Sequence, residues 1–218
     1  MYESILKDLE PMFLKNISMN EFVIPPKKET PKKEVSPYFI PYEKDKLFWC
    51  FYIFKHGLGD YEIMENKNIV KEKDEKIKYI EKIRKNKSLL KSHKIKLLPN
   101  IESNLLNDDV ITLKTFHVLC ILENINYLLV DNKFYYEKIV DEDTPLFLLH
   151  KNKDIYSYEI NNTNNYKATK YAKIEIDKSF QCISSYTIKE LKEICNKLNI
   201  EINPSWKKKD LYDYLVKL

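Results

Sequence analysis

The chain has 218 residues and a net charge of +4 at neutral pH, with 37 basic and 33 acidic side chains. Hydrophobic residues make up 44% of it and charged residues 32%, a balance that is typical of a globular protein and excludes a chain disordered throughout. The longest apolar run, residues 47–54, is too short to cross a bilayer, and the amino terminus shows no secretory signal. We therefore expect an intracellular protein that has no membrane partner.

The composition also limits the chemistry that the chain supports. Lysine, asparagine, isoleucine and tyrosine are abundant, whereas Arg84 is the sole arginine and the two glycines are Gly57 and Gly59. This skew is typical of proteins from AT-rich genomes, so an excess of lysine is by itself weak evidence for an anionic partner. Bidentate reading of guanine by arginine is largely excluded, and so is a glycine-rich phosphate-binding loop.

The first residues of the chain predict an appendage to the main body. Residues 1–23 predict an amphipathic helix with a kink or break at Pro11, and residues 24–41 predict an extended linker rich in proline and lysine. The lysine pairs of the linker allow two interpretations, a patch for nuclear import or nucleic acid and a solvated spacer, of which the spacer is favoured. The helix and the linker together are a candidate surface for a protein partner.

Residues 42–180 predict an α+β body in which helices come first and a small antiparallel sheet follows. Residues 46–55 have no polar side and predict a helix that is buried on all faces and ends near Gly57. Two further helical patterns and then two hairpins follow, the first turning at Asp131-Asn132, a pair that tolerates the positive φ angles of a tight turn. These later elements are predicted over residues 66–96, interrupted near Asn86, and 112–125 for the helices, and over residues 127–139, 146–160 and part of 166–176 for the strands.

The helical pattern of residues 66–96 is the most basic part of the chain, with twelve basic and four acidic side chains. Ile77, Ile80 and Ile83 give this pattern an apolar inner face. Most runs of this kind are solvated helix faces. The charge imbalance nevertheless makes this segment a candidate second contact surface for an anionic partner.

The last part of the chain, residues 184–218, carries the clearest functional pattern. Thr187 followed three residues later by Glu190 is a capping box, in which each side chain accepts a hydrogen bond from a free backbone N–H, so a helix is expected to begin there. Apolar residues then recur at spacings of three and four on either side of a break that contains Asn199 and Pro204. We predict two short helices packed across a turn, with Ile188, Leu191, Ile194, Cys195 and Leu198 in the first stripe and Leu211, Tyr214, Leu215 and Leu218 in the second.

This pattern resembles a SAP domain, the small helix-turn-helix module of many DNA- and chromatin-associated proteins, and the related amino-terminal module of transcription terminator Rho. The resemblance covers about a sixth of the chain. It rests on Thr187-x-x-Glu190-Leu191-x-x-Ile194-Cys195-x-x-Leu198-x-Ile200, followed by Lys207-Lys208-x-Asp210-Leu211 and Tyr214-Leu215.

In the SAP family the turn and the start of the second helix face the phosphate backbone, and the resemblance implies the same here. A helix start offers free backbone donors, and ammonium groups add a salt-dependent attraction to phosphate. Family members usually carry a glycine in the turn, where this chain has Pro204-Ser205. A capped helical pair that docks on the rest of the protein, with its lysines merely solvated, fits the same residues and stays open. The implied nucleic-acid contacts are Thr187, Lys189, Trp206, Lys207, Lys208 and Lys209.

The four cysteines form no Cys-x-x-Cys pair and have no histidine at metal-ligand spacing. We therefore predict neither a metal site nor a cofactor. Free cysteines among apolar residues behave as small buried hydrophobic groups, and their presence favours a reducing compartment.

The order of a buried helix with a cysteine, more helices and then a sheet is similar to the papain-like fold, in particular to ovarian-tumour-type deubiquitinases. The local similarity lies in residues 45–50, 113–130 and 146–158. It implies a thiolate at a helix start that faces a histidine on the late hairpin. Leucine stands at position 47, where the family has its cysteine, and Ile155-Tyr156 replaces the expected His-Tyr pair. Cys50 with His150 stays as the alternative catalytic pair.

We hypothesise a non-enzymatic accessory protein in which residues 184–218 bind nucleic acid, DNA in preference to RNA, through its backbone. Composition and the unfamiliar central sequence point to a large DNA virus, with a role in transcription, genome packaging or virion structure. The nucleus, a cytoplasmic viral factory and the virion are not distinguished. Two alternatives stay open: a papain-like cysteine hydrolase or its inactive relative, and a structural or assembly protein whose amino-terminal helix and linker dock onto a partner chain.

Overall fold

The computed structural model describes residues 37–64, 69–160 and 165–218, and the predicted amino-terminal helix over residues 1–23 lies outside them. The described part of the chain contains nine α-helices and six β-strands, which confirms the predicted α+β class. None of these helices combines the length and the apolar character that crossing a bilayer requires. The helices are α1 (Lys46–His56), α2 (Leu58–Ile63), α3 (Ile69–Lys85), α4 (Lys87–Ser92), α5 (Leu98–Asn107), α6 (Leu113–Leu122), α7 (Tyr166–Thr169), α8 (Ile188–Lys197) and α9 (Lys208–Val216). The strands are β1 (Tyr38–Phe39), β2 (Asn126–Asp131), β3 (Phe134–Lys138), β4 (Leu146–Asn152), β5 (Ile155–Glu159) and β6 (Tyr171–Ala172).

Helix α1 is the centre of the main hydrophobic core. Asp45 caps its start by accepting a hydrogen bond from the Phe48 N–H at 3.0 Å, and the N–H of Gly57, at φ 90°, closes its end on the Ile53 carbonyl at 2.8 Å. Seven of its eleven side chains are buried, which confirms the predicted burial of this segment. Each such side chain contributes roughly 1.5–3 kcal/mol on burial, so α1 is a major source of the stability of the body.

The six strands form one mixed sheet in the order β1-β5-β4-β2-β3-β6. Both predicted hairpins are present: β2 and β3 turn at Asn132, with φ 49°, and β4 and β5 turn at Lys153, with φ 56°. The expectation that the sheet is antiparallel throughout is corrected, because β2 pairs with β4 in parallel and β3 pairs with β6 in parallel. The two hairpins therefore meet along their first strands.

The side chain of Asn126 explains how the two hairpins come to meet in parallel. The connection from β3 to β4 has to cross the beginning of β2, where Asn126 is buried. Its amide oxygen accepts hydrogen bonds from the N–H groups of Val140 at 2.7 Å and Asp141 at 3.1 Å, and its amide nitrogen donates to the carbonyls of Asp141 and Thr144. One side chain thus satisfies backbone groups of the crossing loop that no strand partner reaches.

The two faces of the sheet are covered differently. On one face the sheet packs against helices α1 to α6 and forms the main core with them. Side chains alternate along a strand, so Tyr127 of β2 belongs to that core, whereas its neighbour Leu128 belongs to a smaller cluster on the opposite face. Tyr166, from α7, packs against that smaller cluster.

The described residues of the predicted linker are part of this fold. Tyr38–Phe39 form β1, which pairs antiparallel with β5 at the edge of the sheet, and Pro41 is buried. The ring of Phe39 stands edge to face with Tyr61 of α2 at a centroid distance of 5.5 Å. These residues therefore belong to the body, and the rest of the predicted linker lies outside the described part of the chain.

Asparagine takes the place of glycine at two helix ends. Asn199, after α8, has φ 51°, in the left-handed region that asparagine tolerates better than most residues. The Ile200 N–H then donates to the Cys195 carbonyl at 2.9 Å, which closes the last turn. Asn124 ends α6 in the same way, with φ 54°. A chain with two glycines therefore still ends its helices sharply.

Candidate nucleic-acid interface

Helices α8 and α9 form the predicted helical pair, which we call the carboxy-terminal pair. Thr187 is the N-cap of α8: its hydroxyl oxygen accepts a hydrogen bond from the Glu190 N–H at 3.2 Å, and the Glu190 carboxylate accepts one from the Thr187 N–H at 2.6 Å. This arrangement confirms the predicted capping box. Leu191 and Leu211 are fully buried, as the stripes predict. Ile188 and Tyr214, predicted in the same stripes, are 48% and 41% exposed and lie outside the packed cluster.

The carboxy-terminal pair shares its hydrophobic core with the edge of the sheet. Phe134 of β3 and Phe180, in the segment before α8, are buried in the same cluster as the leucines of the pair, and their ring centroids are 5.7 Å apart. The Tyr212 hydroxyl of α9 also donates to the Gln181 carbonyl at 2.6 Å. Packing and this hydrogen bond together hold α9 in one orientation against the body.

Helix α9 begins with three consecutive lysines and without a side-chain cap. Lys207 occupies the N-cap position, and its ammonium group has no lone pair with which to accept a hydrogen bond from the first turn. Asp210 supplies only the reverse half of a capping box, by accepting from the Lys207 N–H at 2.9 Å. Among the described residues, no side chain accepts from the N–H groups in the first turn of α9, so these groups are available to an external acceptor such as phosphate.

The starts of α8 and α9 lie near each other. The pKa of the Glu190 carboxyl is lowered first by the hydrogen bonds that it accepts from Thr187, and further by the positive charge of Lys208. Lys208 belongs to the first turn of α9 and Glu190 to the first turn of α8. The effect of one on the other indicates that the two first turns lie at the same end of the pair. Lys189, which is exposed on the first turn of α8, lies at the same end.

The lysines at this end differ from many lysines of the body in their pairing. Across the described ranges, Lys189 and the three lysines Lys207, Lys208 and Lys209 make no ion pair with an acidic side chain. An ammonium group that makes no ion pair is free to approach an external phosphate, although Lys208 is half-buried and its charge acts on Glu190. The ion pairs of the body include Lys44 with Asp109, Lys55 and Lys82 with Glu123, Lys78 with Glu75, Lys114 with Asp177, and Lys173 with Asp131.

Trp206 faces partly inward. Its side chain is half-buried against the core of the carboxy-terminal pair, and its ring centroid is 5.0 Å from that of Tyr214. The Trp206 N–H donates to the Asn203 carbonyl at 3.0 Å, which closes a turn with Pro204 at its second position, where proline is favoured. The chain therefore turns into α9 without the glycine that the SAP family uses.

The six predicted contact residues thus gather at one end of the carboxy-terminal pair but differ in availability. The Thr187 hydroxyl is engaged by Glu190 in the capping box. Trp206 packs partly into the core. The four lysines make no ion pair with an acid within the described part of the chain, and Lys208 among them is half-buried.

Cys50 and His150 lie on opposite faces of the sheet. Cys50 is fully buried in the main core, and burial raises the pKa of its thiol. His150 points to the other face, where its Nε2 lies 2.6 Å from the Glu159 carboxylate and its ring contacts Tyr166. A nucleophilic cysteine needs access and a stabilised thiolate, so this geometry gives no support to a Cys50–His150 catalytic pair.

Within residues 37–64, 69–160 and 165–218, no group of three or more His, Cys, Asp or Glu side chains is positioned to hold a metal ion. No protein-family model, curated protein or solved structure matches the chain. The SAP-like and the papain-like resemblances therefore stay predictions from the sequence.

Proposed function

We propose that the protein binds nucleic acid, with duplex DNA as the preferred form, and that the start of α9 contacts the phosphate backbone. Lys207, Lys208 and Lys209 supply the positive charge, and the uncapped N–H groups of the first turn supply directional donors. Phosphates are alike at every position, so binding of this kind carries little sequence preference. The protein then acts as a non-enzymatic accessory factor, with viral transcription, genome packaging or virion structure as the proposed settings.

The observation that carries this proposal is that three adjacent lysines at an uncapped helix start make no ion pair with an acid of the described chain. Thr187 caps α8 with the residue type that helix stability favours, whereas Lys207 stands at the same position of α9 and caps nothing. An alternative in which the carboxy-terminal pair only docks on the body accounts for its buried leucines. It does not account for the lysine at the N-cap.

The test is the affinity for a duplex of about 20 base pairs as a function of salt concentration, for the intact chain and for a Lys207→Ala, Lys208→Ala, Lys209→Ala variant. Each phosphate contact to duplex DNA contributes about 0.9 to the slope of log K against log salt, so losing three contacts lowers the slope by roughly 2 to 3 units. Single-stranded DNA and duplex RNA of the same length, measured in parallel, decide the preferred form.

A charge-matched control separates local contact from the loss of overall charge. Lys44→Ala, Lys78→Ala and Lys114→Ala remove three exposed lysines that are paired with acids of the body. We expect the slope of this variant to stay close to that of the intact chain. Equal slopes for both triple variants contradict the proposal, and so does an intact chain that binds no duplex at low salt.

A further inference from the structure

A second group of lysines in the described chain also lacks acidic partners. From residue 82 to residue 101 the sequence contains no aspartate or glutamate, although it carries seven lysine or arginine side chains. The stretch covers the end of α3, all of α4 and the loop that leads to α5. It is the carboxyl-terminal half of the basic segment that the sequence singled out.

Most basic side chains in the first half of that segment are paired within the protein. Lys76 is 2% exposed, and its ammonium group lies 2.6 Å from Asp45 and 2.7 Å from Glu72. The other partners are also acids: Lys78 pairs with Glu75, Lys82 with Glu123 and Arg84 with Glu102. Among the described residues of that half, Lys73 alone makes no ion pair, so most of the excess charge predicted over residues 66–96 lies after position 84.

The second half presents its lysines to solvent. Five exposed lysines make no ion pair with an acid of the described chain. Leu90 is fully buried and anchors α4, while Lys87 and Lys91, four residues apart, share its outer side. The Ile95 N–H closes the helix end on the Leu90 carbonyl at 3.0 Å, so the loop that follows is held by the backbone. The five lysines are Lys85, Lys87, Lys91, Lys94 and Lys96.

Lys138, at the end of β3, adds a sixth positive charge that the sequence did not associate with this segment. Its Nζ lies 3.3 Å from Nδ1 of His93, the residue that follows α4. Burial and then the charge of Lys138 lower the pKa of His93, and burial and Lys138 likewise lower the pKa of the nearby His117, to about 4. Lys138 itself makes no ion pair with an acid of the described chain.

We propose that these six lysines, Lys85, Lys87, Lys91, Lys94, Lys96 and Lys138, form a second surface that contacts the phosphate backbone of the bound duplex. We call it the α4 surface. Like the lysines of the α9 start, these six make no ion pair with an acid of the described chain. Five of the six are exposed, and Lys138 is half-buried. It rests on the proposed function only in taking the polyanion to be the same duplex.

Strand β3 relates the two surfaces in space. The carboxy-terminal pair packs on Phe134, the first residue of β3, and the α4 surface includes Lys138, its last residue. Successive residues of a strand rise by about 3.3 Å, so these two anchor points are roughly 13 Å apart. A duplex carries one charge per about 1.7 Å of its axis, so a duplex of about 20 base pairs is longer than this spacing and can be tested against both surfaces at once.

The test compares three triple variants in the same salt titration with the 20-base-pair duplex. The first is Lys87→Ala, Lys91→Ala, Lys96→Ala, in the α4 surface. The second is the α9 variant, Lys207→Ala, Lys208→Ala, Lys209→Ala. The third is the paired-lysine control, Lys44→Ala, Lys78→Ala, Lys114→Ala. Eight of the nine substituted side chains are exposed and Lys208 is half-buried, so thermal unfolding of each variant should stay close to that of the intact chain.

We expect the α4 variant to lower the slope of log K against log salt by roughly 2 to 3 units, with one protein bound per duplex in the intact complex. A slope equal to that of the control overturns the α4 surface. If the α4 variant changes the slope and the α9 variant does not, the α4 surface stands and the assignment of the α9 start fails. If the α9 variant changes the slope and the α4 variant does not, only the α4 surface is ruled out. If neither variant changes the slope, both assignments are ruled out.

Discussion

In the α+β body, Lys76 lies between Asp45 and Glu72 with 2% of its surface exposed, whereas Lys207 and its two neighbours in the carboxy-terminal pair have no acidic partner in the described chain. Both regions come from one lysine-rich composition, and both place lysine at or near a helix. The body uses its lysine to neutralise buried carboxylates, and the pair leaves its lysines to solvent. In a chain of this composition, the pairing state of a lysine is thus more informative about function than the number of lysines.

The surroundings of Lys76 show how a lysine is buried and paired inside the body. The Asp45 carboxylate caps α1, accepts from the Ile111 N–H at 2.9 Å and pairs with Lys76, so it joins three separate segments. The Glu72 carboxylate pairs with Lys76 and accepts from the Trp49 indole at 2.9 Å. Removing the cation leaves two buried carboxylates without a counter-charge, which is costly in a low-dielectric interior.

The largest effect is therefore expected for Lys76→Met, which keeps the length of the side chain and removes its charge. We expect a loss of about 3–5 kcal/mol in the free energy of unfolding at pH 7, measured by denaturant titration. Lys78→Met, at an exposed pair on the same helix, serves as the control and should cost no more than about 1 kcal/mol. Equal losses at the two positions would contradict the distinction between a buried and an exposed lysine ion pair in the body.

The same variant gives a pH dependence with a defined sign. Burial raises the pKa of Asp45, and the hydrogen bond and charge of Lys76 oppose that rise. Without Lys76 the pKa of Asp45 in the folded state rises further, so the folded variant takes up a proton at a higher pH than the unfolded chain does. Folding is then favoured as the pH falls through that raised value. The loss caused by Lys76→Met should be smaller at pH 5 than at pH 7.

A smaller effect is expected at the start of α9, where stability and binding should change in opposite directions. Lys207→Ser places a preferred capping residue at an N-cap that has none, and should raise the free energy of unfolding by about 0.5–1 kcal/mol. The same change removes one phosphate contact, so the slope of log K against log salt should fall by about 0.9. Thr187→Ser, a conservative change at the capped start of α8, is the matched control for both measurements. A variant that is more stable and binds as before would show that Lys207 is not a contact.

Signals between neighbouring residues predicted much of the fold. The capping box of Thr187 with Glu190 and the turn at Asp131-Asn132 depend on residues close in sequence, and both are present. The burial of Lys76 could not be predicted, because it depends on Asp45, which lies 31 residues away. The parallel pairing of β2 with β4 was missed for a similar reason, since it depends on the loop that Asn126 holds.

The same distinction, between features set by neighbouring residues and features set by distant ones, applies to the candidate site. The sequence predicted an exposed helix start at Lys207 because helical spacing and a preceding turn are local features. It did not predict that the charge of Lys208 acts on Glu190, or that Lys138 reaches His93, since both arise when distant segments pack together. The absence of acids over residues 82–101 was visible in the sequence, but the pairing of the earlier lysines was needed to give it meaning.

The most direct measurement is the reactivity of every lysine toward an acylating reagent, read by mass spectrometry with and without the duplex. Lys44, Lys78 and Lys114 are exposed but paired, and they serve as references within the same sample. If the start of α9 contacts the phosphate backbone, we expect strong protection of Lys207, Lys208 and Lys209 by the duplex and little change at the three references. Unchanged reactivity at positions 207–209 under conditions where the duplex is bound would contradict it.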